Sequence, residues 1–95
     1  MSKYPQVRRD FSFIIDNKIL FNDLMNAIKQ TSKLIKEIKL MDVYDGKPLK
    51  SNEKSYSFSV VLEDINKTLE DSEINKISEK IIKEISKKFN AVLRS

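Results

Sequence analysis

Two rhythms alternate along this chain, one of period two and one near 3.6. In residues 7–15, Val7, Phe11, Phe13 and Ile15 fall on one side, with Arg8, Asp10 and Ser12 on the other. Alternation of this length predicts a strand with one covered face. Ile14 interrupts the polar side and Arg9 the apolar side, while Pro5 sets the short polar opening into an extended path. After a turn at Asp16, Asn17 and Lys18 come Phe21, Leu24, Met25 and Ile28, spaced as one stripe of an amphipathic helix. Asn22 is the expected N-cap and Asp23 suits the positive end of the helix dipole. This helix is expected to end near Thr31 or Ser32.

Residues 35–45 predict a second strand whose parity is irregular. Ile38 and Leu40 are in phase with Asp42 and Tyr44, yet Met41 and Val43 take the opposite phase. A β-bulge near Leu40, or burial of both faces at the start of the strand, would explain this, and the pattern does not choose between them. Gly46, Lys47 and Pro48 mark a turn, with Lys50 and Lys54 nearby. Residues 54–62 then alternate cleanly: Tyr56, Phe58, Val60 and Leu62 against Ser55, Ser57 and Ser59. The short connection makes these two strands an antiparallel hairpin.

Leu69 anchors a polar connection into a second helix, striped by Ile74, Ile77, Ile81, Ile85 and Phe89. Glu70, Asp71 and Glu73 at its start and Lys87 and Lys88 at its end match the dipole. Glu79–Lys83 and Glu84–Lys88 are spaced as helical ion pairs. Asn90 is suited to the left-handed conformation that stops a helix, and residues 91–94 form a short last strand.

The order is βαββαβ, the plan of an α+β, ferredoxin-like fold. Right-handed crossovers put both helices on one face of a four-stranded antiparallel sheet. The other face is then open, with Arg8, Asp10, Ser12, Asp42, Tyr44, Ser55, Ser57, Ser59 and Arg94 on it. A row of small hydroxyls beside a tyrosine leaves room for a flat ligand and offers a stacking platform, as single-stranded RNA modules do. Serines also tolerate solvated strands with no ligand at all, and the pattern alone leaves both readings standing.

Composition narrows the chemistry. The 95 residues fit one domain. There is no Cys and no His, which removes disulfides, the usual zinc sites and Ser-His-Asp or Cys-His catalysis. One glycine cannot build a phosphate-binding Gly-rich loop. A net charge of +4 suits a nucleic-acid partner and equally a lysine-rich solvated surface. Lys76, Lys80, Lys83 and Lys87 form a ridge on the second helix that reads as a solvated face. Arginine occurs only as Arg8, Arg9 and Arg94. Planar donors at the sheet ends suit stacking or bidentate contacts, although the parity of Arg9 predicts a structural ion pair instead. No apolar run approaches a membrane span and no signal peptide leads the chain, so a cytoplasmic location is expected.

Several segments resemble one family in order and spacing. Tyr4-Pro5-Gln6-Val7-Arg8-Arg9-Asp10 is similar to its opening and Leu40-Met41-Asp42-Val43-Tyr44-Asp45-Gly46 to its second strand. Lys54-Ser55 is similar to the start of its third strand, Thr68-Leu69-Glu70-Asp71-Ser72-Glu73-Ile74 to the entry of its second helix, and Leu93-Arg94 to its close. The chain resembles the C-terminal ferredoxin-fold anticodon-binding domain of bacterial phenylalanyl-tRNA synthetase β subunits over essentially its whole length. The resemblance implies an RNA-binding module spanning residues 1–95, excised from a longer chain, with no cofactor and no chemistry of its own. The parent it implies is an α2β2 enzyme that uses ATP and magnesium. Partners implied are the anticodon loop of tRNA(Phe), the α subunit and the rest of the β subunit, with the isolated domain a monomer. By the same resemblance, Tyr44 stacks on the first anticodon base, a guanine, while Asp42 and Ser55 bond its edge and Arg94 packs against neighbouring bases. Arg8 and Ser57, on the same face, complete the expected set. Met41, Glu70 and Asn90 depart from the family's usual Phe, Thr and Gly, all at structural positions.

Two other readings of the fold remain to be weighed. An acylphosphatase-like enzyme needs an anion-binding loop after the first strand, and Asp16-Asn17-Lys18 has no glycine for one. A small-molecule regulatory domain would bind its ligand at a helix–strand junction.

Overall fold

The computed structural model describes residues 4–94; the first residues of the polar opening and Ser95 lie outside them. The elements run β1 (Val7–Asp16), α1 (Phe21–Lys29), β2 (Ile35–Tyr44), β3 (Glu53–Leu62), α2 (Asp71–Phe89) and β4 (Val92–Leu93). They form one sheet in the order β2-β3-β1-β4, antiparallel throughout. This is the ferredoxin-like arrangement that the alternating pattern predicts.

The core lies between the sheet and the helices. Phe11, Phe13, Tyr56, Phe58, Val60 and Leu62 supply the sheet side. Leu24 and Ile28 of α1 and Ile74, Ile77, Ile81 and Ile85 of α2 supply the other. Phe58 is the hub, with ring centroids 5.7 Å from Phe11, 6.0 Å from Phe13 and 5.9 Å from Phe21. Aromatic rings this close add specific attraction to their buried area. The Tyr56 hydroxyl crosses the layer to donate to the carbonyl of Ile19 at 2.7 Å.

The irregular parity of β2 is a bulge. Leu40 pairs with Phe58 and Asp42 with Ser57, so Met41 is the extra residue, and a second irregularity falls between Ile35 and Glu37. The bulge flips the phase of the strand. Ile38 and Leu40 lie on the helix side, whereas Asp42 and Tyr44 come out on the opposite face.

Three local expectations change. The N-cap of α1 is Leu20, not Asn22. Ile19 and Phe21 pack against the core while Leu20 stays 63% exposed; apolar anchoring on both sides sets the helix start two residues ahead of the polar candidate. Arg9 pairs across from Val60 with covered-face parity, yet it is exposed and forms no ion pair with another described residue. The two-residue β4 reaches only Phe13 and Ile14, so this end of β1 is a sheet edge where a long side chain reaches water. Glu79–Lys83 and Glu84–Lys88 do not close to ion-pair distance among the described residues. At the other end of α2, Asn90 takes the expected left-handed conformation at φ 55°.

Candidate nucleic-acid interface

Strand pairing sets the face away from the helices in rows. Tyr44 lies beside Ser55, Ser55 beside Ile14, and Ile14 beside Val92. The next row holds Asp42, Ser57 and Ser12, and Arg94 closes it by donating its backbone N–H to the Ser12 carbonyl at 2.7 Å. Lys39, Ser59 and Asp10 follow, then Glu37, Val61 and Arg8. Each row exists because residues of equal phase on neighbouring strands share a face.

The first two rows make a shallow platform. Tyr44 is 41% exposed, and its hydroxyl donates to the Lys47 carbonyl in the following loop. Gly46 makes that loop possible. Its φ is +114°, a conformation side chains rarely adopt, and a Cβ there would lie 3.7 Å from the Tyr44 hydroxyl. From the far edge the Arg94 guanidinium comes within 5.9 Å of the Tyr44 ring centre. Ser55 is the floor between them. It is 2% exposed, and its hydroxyl has no hydrogen-bond partner. An unpaired buried hydroxyl is costly, so a ligand that reached it with a donor or acceptor would recover that cost. The sheet face is therefore closed at Ser55, and also at Ser59, although the alternation predicts both open. Ser12 and Ser57 share a 2.7 Å hydrogen bond, whereas Asp42 is exposed and has no hydrogen bond to another described residue.

Of the six residues the sequence proposed, five converge here: Asp42, Tyr44, Ser55, Ser57 and Arg94. Arg8 does not. It lies six residues along β1 from Ile14, roughly 20 Å away at the rise of a strand. Its guanidinium is held by Asp10, with Nε 2.9 Å from Oδ1. Asp10 also accepts from the Ser59 hydroxyl at 2.6 Å. The Arg8 bond, followed by the Ser59 bond, holds the Asp10 carboxyl below its usual pKa. Two contributors escaped the sequence selection: Ser12, which ties down Ser57, and Ile14, which carpets the platform beside Ser55. Strand parity already put both on this face; only the cross-strand register adds which serines meet.

No group of three acidic, His or Cys side chains that could hold a metal ion occurs among the described residues. No helix among them is long and apolar enough to cross a membrane.

A sheet backed by two helices, with a tyrosine and an arginine flanking small hydroxyls on its free face, belongs to the class of sheet-face binding modules. Residues 2–94 match the ferredoxin-fold anticodon binding domain, and the chain belongs to that family. It is similar to the phenylalanine–tRNA ligase β subunits of Bacteroides fragilis, at 41% identity over 99% of this chain, and Fusobacterium nucleatum, at 37% over 99%. That of Dechloromonas aromatica is 36% identical over 100% of it. In each case the chain spans only 12% of the relative's length.

Proposed function

We propose that this domain recognises the anticodon loop of tRNA(Phe) on its open sheet face, as a non-catalytic module of a cytoplasmic phenylalanine–tRNA ligase. The observation that carries the reading is the platform itself: an exposed tyrosine ring, an arginine over it and a buried hydroxyl without a partner between them. Tyr44 offers a face for one base. Asp42, exposed and unencumbered at the strand edge, can accept from the N1–H and N2–H of guanine together, a pairing no other standard base offers. Ser55 would bond the base or its sugar once a ligand parts Tyr44 from Arg94. Arg94 would stack on a neighbouring base or pair with a phosphate. The domain orients and selects; activation of the amino acid with ATP and magnesium would occur in the rest of such an enzyme, with the α subunit as partner.

The test is a titration of the isotopically labelled chain with the anticodon stem-loop, followed by amide chemical shifts. Changes concentrated on residues 42–47, 55–57 and 92–94 support the proposal. Changes confined to the helices, or none at saturating RNA, would overturn it.

A further inference from the structure

The helical side carries a second surface of different character. Lys76, Lys80, Lys83 and Lys87 recur at i, i+4, i+7 and i+11, which is a single stripe of α2. All four are exposed, and none is within ion-pair distance of an acid among the described residues. The stripe does not look out from a convex surface. It forms one wall of a groove whose opposite wall is the turn after α1. One stretch of about 320 Å³ runs between Lys76 and Lys80 on one side and Ser32 and Leu34 on the other. The next, of about 400 Å³, is bounded by Lys80, Lys83, Lys87 and Thr31. Lys80 lines both, so the cationic row is continuous over about 16 Å at the rise of a helix. Two carboxylates line it. Glu73 is already bonded to Lys67 at 3.0 Å, which leaves Glu84 facing the row.

We infer that this groove holds the phosphate backbone of a second stretch of RNA, one that does not occupy the sheet face. A line of unpaired ammonium groups fits a linear partner with a repeating negative charge. Lysine heads act as point charges, and contacts to backbone phosphate carry no base information, so binding here is independent of sequence. Leu34 and Ile77 are the apolar residues along the walls, too few to anchor an acidic amphipathic helix. The groove belongs to the helical layer and the platform to the opposite face of the sheet. A loop docked on Tyr44 therefore cannot place the same phosphates among these lysines. The inference stands or falls separately from anticodon recognition.

The experiment uses a fluorescent RNA duplex with no loop, which offers no unstacked base to Tyr44, titrated into the 95-residue chain over a range of salt. Replacing Lys80, Lys83 and Lys87 together by Gln should make the log–log salt dependence shallower by about 2–3, at about 0.7–0.9 per lost phosphate contact. Arginine at the same three positions should restore it, and Tyr44→Ala should leave it alone. A control removes equal charge elsewhere, with Lys18, Lys36 and Lys50 changed to Gln. Circular dichroism checks that every variant stays folded. An unchanged slope in the groove variant, or an equal loss in the control, would overturn the inference. So would binding to phosphatidylglycerol vesicles without binding to the duplex.

Discussion

Removing each of two tyrosines in turn separates the two faces of the sheet. Tyr56 is 4% exposed, its ring 5.3 Å from that of Phe21, and its hydroxyl satisfies the Ile19 carbonyl at 2.7 Å. Tyr56→Ala opens a cavity under the helices and strands that carbonyl, a loss on the order of 3–5 kcal/mol for a buried aromatic. In a domain of this size each kcal/mol moves the midpoint by about 4–8 °C. The melting temperature should therefore fall by about 12–40 °C, enough to unfold a marginal chain. Tyr44 is exposed, and its contacts are a hydrogen bond to the Lys47 carbonyl and the Arg94 guanidinium. Their loss costs about 1–2 kcal/mol together. What Tyr44→Ala does remove is the stacking face, worth about 1–3 kcal/mol per base, which is about 5- to 150-fold in affinity. The assay is paired: thermal midpoint by circular dichroism and stem-loop affinity by anisotropy, for both variants. If Tyr44→Ala melts the domain while Tyr56→Ala spares the fold and weakens RNA binding, the faces have been assigned backwards.

Gly46→Ala should destabilise the domain by about 1–3 kcal/mol through backbone strain at positive φ, read as a lower denaturant midpoint, and should weaken stem-loop binding because the loop positions Tyr44. The lowered Asp10 pKa gives a signed pH dependence. Its stabilising contribution is fully present above the ordinary carboxylate pKa, near 4, and is lost as pH falls through the lowered folded value. Asp10→Asn should accordingly show a flatter stability profile on the acid side and the same slope near neutrality; an unchanged acid limb would remove Asp10 from the account of acid stability.

Much of this architecture is legible in the residues because β1, β3 and both helices each keep one dominant period. The strand phases of Phe11, Phe13, Tyr56 and Phe58 and the isoleucine stripe of α2 specify the covered face unambiguously. What the pattern leaves open depends on neighbours distant in sequence. The bulge at Met41 is fixed by pairing with Phe58 and Ser57 on β3, and either of two explanations fits the isolated strand. The start of α1 follows from Ile19 and Phe21 being drawn into the core, a tertiary effect that outweighs the capping preference of Asn22. Arg9 is freed by the shortness of β4, and burial of Ser55 and Ser59 reflects side chains laid across the sheet from other strands. The platform was readable as residue types on a face. Its closure by Tyr44 and Arg94 over Ser55 requires the register of all four strands.

Guanine recognition by Asp42 is the most exposed point of the functional proposal, and one comparison reaches it. Stem-loops carrying guanine or adenine at the first anticodon position are titrated at fixed salt against the native chain and against Asp42→Asn. A two-point base contact is worth about 1–3 kcal/mol of discrimination, so the native chain should prefer guanine by about 5- to 150-fold, and Asp42→Asn should lose most of that preference while still binding both loops. Equal affinity of the native chain for the two loops, or a preference that Asp42→Asn leaves intact, would contradict base reading by this face of the sheet.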